Sequence, residues 1–121
     1  MLISPHLVFP LLGLLLIGLA YPLARRQVRP NRWYGLRVPA TFADERVWYE
    51  ANAVTGRDMM RLGIVVTATA LLLQYLVNLR LEAYAGICAG ILGIGSLILT
   101  VRGWRLANRL LREYRGSAGG A

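Results

Sequence analysis

The chain has 121 residues, 56% of them hydrophobic, and a formal charge of +8 from fourteen basic residues, all arginine, against six acids. That length holds one domain at most, and a soluble domain of this size cannot bury so large an apolar fraction, so an ordinary soluble globule is excluded and a membrane protein is indicated. The absence of lysine also excludes a P-loop lysine or a Schiff base.

Residues 7–24 carry no charge. At about 1.5 Å per residue they reach roughly 27 Å, enough to cross the hydrocarbon layer. Pro10 and Pro22 sit near the ends, where a missing N–H is least costly. Arg25, Arg26 and Arg29 follow the apolar run rather than precede it, and no small-x-small cleavage site is visible, which predicts a retained span with its N-terminus outside. His6, with no second histidine and no nearby cysteine, is expected at the membrane interface rather than on a metal.

Positive charge falls in two blocks. Residues 25–61 hold eight arginines against four acids, Arg80 and Glu82 cancel, and residues 102–121 hold five arginines against Glu113. Two further spans separate the blocks, so both can face the cytoplasm, as the positive-inside rule requires. Topology then accounts for the charge, and no direct nucleic-acid partner is expected, since no binding motif for one is present.

The segment 25–61 is a basic, aromatic loop. Pro30 and Pro39 bias the residues before them toward extended backbone, and Gly35 can take a positive φ. Trp33 and Tyr34 beside Arg32 and Arg37 have the composition of a headgroup-level anchor. Thr41 and Asp44 form a capping pair, predicting a helix from Phe42. On it Val47, Trp48, Ala51 and Val54 or Thr55 share one side, while Arg46, Glu50 and Arg57 lie elsewhere, which predicts an amphipathic helix lying on the membrane.

The run Pro30-Asn31-Arg32-Trp33-Tyr34-Gly35-Leu36-Arg37-Val38-Pro39-Ala40-Thr41, followed by Val47-Trp48-Tyr49, Ala51-Asn52 and Gly56-Arg57, resembles the signature of the SdpI family, named for a bacterial immunity protein against a secreted peptide toxin. The likeness covers roughly residues 29–62 by motif; the flanking spans agree in hydropathy alone. It implies an integral protein of the bacterial inner membrane that acts in toxin immunity or, as in the founding type, in signalling through a transcriptional repressor held at the membrane. The longest members have additional spans, so this chain looks like the minimal signature domain. In the functional reading, Asn31, Arg32, Trp33, Tyr34, Gly35, Arg37, Pro39, Trp48 and Asn52 make a pocket at the inner face for a peptide, a lipid headgroup or a partner protein. In the structural reading, Pro30, Gly35 and Pro39 shape the arm, Arg37 ties it to Asp44, Glu45 or Glu50, and Trp48 wedges the helix into the headgroups.

A second span is expected over residues 62–79, where Thr67, Gln74 and Asn78 fall near one stripe and need partners on another helix. A short hairpin makes the third span, residues 83–101, its antiparallel neighbour. There Gly86-x-x-x-Gly90 with Gly93 provides small residues for close helix packing, either within the chain or between copies. Cys88 in this run is expected to be inert. Arg102, Arg105, Arg109 and Arg112 then repeat at three and four opposite Leu106, Leu110 and Leu111, predicting a basic amphipathic extension, residues 102–121, that turns along the anionic leaflet.

The expected fold is therefore an all-α membrane protein with three transmembrane helices, a cytoplasmic amphipathic helix between the first and second, and a basic C-terminal extension. One histidine and one cysteine in separate spans offer no assisted thiol and no metal site, so no enzyme, cofactor or metal is expected. The expected role is binding, with membrane lipids, a peptide toxin or a cytoplasmic regulator as partners. The alternative is an accessory subunit packed in a larger membrane complex or a homo-oligomer.

Overall fold

The computed structural model describes residues 5–77 and 79–119. It contains four helices: α1 Pro5–Ala24, α2 Pro39–Ala43, α3 Glu45–Leu76 and α4 Leu81–Gly119. Three of them, α1, α3 and α4, are long and apolar enough to cross a membrane. The protein is a multi-pass membrane protein in which α3 is central, with α1 and α4 packed along it.

The α1–α3 contact is made by small residues at sevenfold spacing, Gly13 and Ala20 on α1 against Gly56, Gly63 and Ala70 on α3. A Cβ at Gly63 would stand 2.5 Å from the Gly13 carbonyl oxygen, and one at Gly56 would stand 2.7 Å from the Ala24 nitrogen and 2.9 Å from the Ala20 oxygen. Backbone therefore meets backbone, which supplies dispersion contact where lipid leaves no hydrophobic driving force. The sequence pattern points to Gly86, Gly90 and Gly93 instead. A Cβ at any of these meets nothing within 4 Å. The reason is angular: α4 faces α3 with Tyr84, Cys88, Gly95, Gly103 and Ala107, and at about 100° per residue Gly86, Gly90 and Gly93 lie on the far side.

Proline explains the polar contacts made at the His6 carbonyl. Pro10 has no N–H to give to the His6 carbonyl one turn back. Gln74 Nε2 of α3 donates to that oxygen at 2.7 Å, and the Tyr84 hydroxyl of α4 donates to it at 3.4 Å. Gln74 Nε2 also lies 3.0 Å from the Tyr84 hydroxyl. Thr67 Oγ1 donates to the Pro10 carbonyl at 3.5 Å. The expected partners for Thr67 and Gln74 are thus main-chain groups of α1; Asn78 lies outside the described residues.

Two expectations for the loop and tail need correction. The helix expected from Phe42 is not separate from the second span: α2 ends at Ala43, and α3 runs unbroken from Glu45 to Leu76. Its buried stripe of Val47, Trp48, Ala51, Thr55, Leu62, Val66 and Ala70 stays in phase throughout, so no break is needed where the opposite face turns from polar to apolar. The tail likewise belongs to the same helix as the third span, α4 running to Gly119. Its Leu110, Leu111 and Tyr114 pack on a buried cluster of Leu36, Ala40, Val47, Ala51 and Ala107, turning the apolar side to the protein's own loop. At about 1.5 Å per residue α3 is roughly 48 Å long and α4 roughly 58 Å, against a hydrocarbon layer of about 30 Å. Their paired ends therefore extend beyond the layer together.

Candidate functional site

The loop between α1 and α3 is held in one shape by local chemistry. α1 stops in a Schellman turn, with Gln27 N–H donating to the Pro22 carbonyl at 2.9 Å and Arg26 N–H to that of Leu23 at 3.1 Å. Arg26 takes the left-handed conformation there, φ 57°, and its guanidinium pairs with Glu50 of α3, Nε to Oε1 at 3.0 Å. Asn31 then makes an Asx turn: its Oδ1 accepts from the N–H groups of Trp33 and Tyr34 at 2.8 and 2.9 Å, and its Nδ2 donates to the Arg29 carbonyl at 2.7 Å.

Gly35 follows at φ 107°, where a Cβ would sit 2.9 Å from Asn52 Oδ1 and 3.4 Å from Trp48 Cη2. The bend lets Asn52 grip the next residue. Its Oδ1 accepts from Leu36 N–H at 2.5 Å, and its Nδ2 donates to the Leu36 carbonyl at 3.3 Å and to the Trp48 carbonyl at 3.0 Å. Trp48, fully buried, donates Nε1–H to the Val28 carbonyl at 2.8 Å. It is therefore a strut beneath the loop rather than a wedge in the headgroups.

Val38 is extended, as the residue before a proline should be, and Pro39 opens α2 at its first position. Thr41 Oγ1 accepts from Val38 N–H at 3.0 Å and donates to the Val38 carbonyl at 2.8 Å. Asp44 caps α3 instead, accepting from Arg46 N–H at 2.8 Å. The Arg46 side chain, hydrogen-bonded to Asp44, holds that carboxyl below its ordinary value, and Arg46 is pushed up in turn. The same guanidinium lies 4.4 Å from the centre of the Tyr114 ring, tying α4 to the start of α3.

These supports present a groove of about 470 Å³. At the other end of the bundle α1 and α4 converge, with Phe9 and Tyr84 in edge contact at 5.8 Å. Toward the loop they form opposite walls: Leu16 and Leu19 of α1 face Ser96, Leu99 and Thr100 of α4, with Met59 and Leu62 of α3 at the floor and Trp33, Tyr34 and Arg37 at the rim. The arrangement joins apolar walls to an aromatic and cationic mouth, suited to an amphipathic occupant.

The expected site residues thus divide. Trp33, Tyr34, Gly35 and Arg37 line the groove, whereas Asn31, Trp48 and Asn52 brace the loop from behind, and Pro39 starts α2. Arg32 is exposed and its carbonyl accepts from the Arg37 guanidinium. Arg37 is therefore not tied to Asp44, Glu45 or Glu50: Asp44 is taken by Arg46 and Glu50 by Arg26. Sequence reasoning misses Asp58, 7% exposed, whose carboxylate lies 3.1 Å from Arg61 and 3.2 Å from Arg102 of α4. Its place in the buried stripe one turn before Leu62 is the available signal.

The SdpI/YfhL protein family model matches residues 27–103, well over half of the chain. The protein belongs to this family. The match takes in the loop from Gln27, α2, all of α3 and the spanning part of α4, so the braces at Asn31, Trp48 and Asn52 and most of the groove lie inside it. No curated protein and no solved structure matches this chain.

Proposed function

We propose that this SdpI-family protein acts by binding and carries out no catalysis. Its loop-roofed groove would receive an amphipathic segment, either a membrane-active peptide, in immunity, or part of a cytoplasmic partner, in signalling. The supporting observation is Trp33, 81% exposed on a loop braced by hydrogen bonds from Asn31 and Asn52, at the mouth of a groove with apolar walls. A large ring left uncovered by the protein on a rigid support suits a contact residue. In this reading the protein sits in the bacterial inner membrane, N-terminus outside, with the loop and the paired ends of α3 and α4 in the cytoplasm.

The open glycine face of α4 favours a second reading, an accessory subunit or homo-oligomer that docks through Gly86, Gly90 and Gly93. Affinity purification of the tagged protein from native membranes, together with survival of cells challenged with membrane-active peptides, separates the two. The binding reading expects Trp33→Ala with Arg37→Ala to abolish protection or partner recovery while Gly90→Leu leaves both intact. The reverse pattern, with a larger complex recovered in constant ratio only when Gly90 is intact, would establish the subunit.

A further inference from the structure

Asp58 has more cation around it than its charge requires. It is 7% exposed, and two arginines reach it: Arg61 Nη1 donates to Oδ1 at 3.1 Å, and Arg102 Nη1 of α4 donates to the same oxygen at 3.3 Å. One arginine would neutralise the buried carboxylate; two leave a net charge of +1. Neither guanidinium is used up, since each has five N–H donors and the two side chains are 71% and 61% exposed.

The triad also stands at a particular depth. Arg61 is the last charged residue of α3, and Arg102 is the first in α4 after Glu82, so the uncharged stretches 62–76 and 83–101 run from them into the span. They therefore mark one edge of the hydrocarbon layer. Because both guanidiniums meet on one oxygen, they share that depth, which is where lipid phosphates lie. A cavity of about 220 Å³ opens beside them, with Asp58, Arg61 and Arg102 at one end and Leu62, Ile98 and Leu99 on the span side. Away from the span, Arg102 borders a second groove that is lined by Arg105. Among the described residues Arg105 forms no ion pair.

From this placement we infer that the α3–α4 crevice holds one phospholipid by a single phosphate, shared between Arg61 and Arg102, with an acyl chain along Ile98. Arginine's planar fork suits phosphate oxygens, and basic pockets between helices at the membrane edge are where such headgroups bind. Asp58 positions the two forks, and the phosphate offsets the remaining charge. The head carries no cation: past the phosphate it meets Arg105, which repels choline or ethanolamine and admits glycerol. The crevice contains none of the mouth residues Trp33, Tyr34 and Arg37, and it does not depend on what the loop-roofed groove receives.

The test uses the full-length protein in nanodiscs of phosphatidylcholine and phosphatidylglycerol in equal amounts, retained lipid being counted by native mass spectrometry. Wild type should keep one phosphatidylglycerol in preference to phosphatidylcholine, and R61A should hold it roughly fivefold more weakly, one headgroup contact being lost. Asp58 keeps Arg102 in that variant, so no buried charge is stranded. R29A removes the same charge outside the crevice and should bind as wild type does. Independently of any variant, a phosphatidylglycerol with a diazirine at the head of one chain should label Ile98 in the wild type. Equal retention of both lipids, a loss in R61A no greater than in R29A, or labelling spread evenly over the exposed leucines of α1 would overturn the site. Displacement by an equal concentration of soluble glycerophosphoglycerol, the same head without chains, would overturn it too, in favour of a free anion.

Discussion

Asn52 holds Leu36 by both of its main-chain polar groups, accepting from the N–H at 2.5 Å and donating to the carbonyl at 3.3 Å. The amide does for a single loop residue what a neighbouring strand does in a sheet, and it is 2% exposed. Replacing it with alanine leaves a buried N–H and a buried carbonyl without partners, which should cost about 2–4 kcal/mol. Asn52→Asp keeps the acceptor, loses the donor and adds a buried charge, so it should not restore stability. Thermal unfolding in detergent, followed by near-ultraviolet dichroism of the buried Trp48, reads both variants.

Gln74 and Pro10 should be energetically coupled. Gln74→Leu removes the donor to the His6 carbonyl and should destabilise by about 0.5–1.5 kcal/mol, the range for interhelical hydrogen bonds in membranes. In a Pro10→Ala background the substituted residue supplies the missing helical N–H, so the same change should cost clearly less. A double-mutant cycle measures the difference. Equal costs in both backgrounds would mean that the bond from Gln74 to the His6 carbonyl does not depend on Pro10.

Helix contact should be lost at Gly63 and not at Gly90. A methyl at Gly63 meets the Gly13 backbone and Ile17 at 2.5 and 2.7 Å; Gly63→Ala should therefore destabilise by about 1–3 kcal/mol, the usual cost of overpacking. Gly90→Ala, in open space, should be neutral or gain about 0.5–1 kcal/mol from the better helix former. Comparing melting temperatures of the two variants checks both signs, and light scattering shows whether Gly90→Ala alters an assembly.

The start of α3 should weaken only in strong acid. Asp44 is held below its ordinary value of 3.8 chiefly by the Arg46 side chain. Its contribution is therefore complete above that value and is lost as pH falls from there through the lowered folded value. Hydrogen exchange at the Arg46 amide should accelerate across that window in the wild type. In Asp44→Asn, where the cap remains but the titrating group does not, the step should be absent.

The sequence by itself determined that this is a helical membrane protein with three crossings and an arginine-rich loop and tail, because hydropathy over span-length windows and charge between them are local properties of the chain. It also carried the family signature, Pro30 to Arg57, which the family match extends to residues 27–103. What only the tertiary structure decided is which signature residues line the groove and which hold the scaffold. Trp33 and Trp48 are the same residue type, yet Trp33, on the loop, is exposed while Trp48 is fully buried and bonded to the Val28 carbonyl, since the phase of α3 turns position 48 beneath the loop. Likewise Gly56, Gly63 and Ala70 pack while Gly86, Gly90 and Gly93 do not, because close contact needs a facing partner, and no spacing along one helix can say where its neighbour lies.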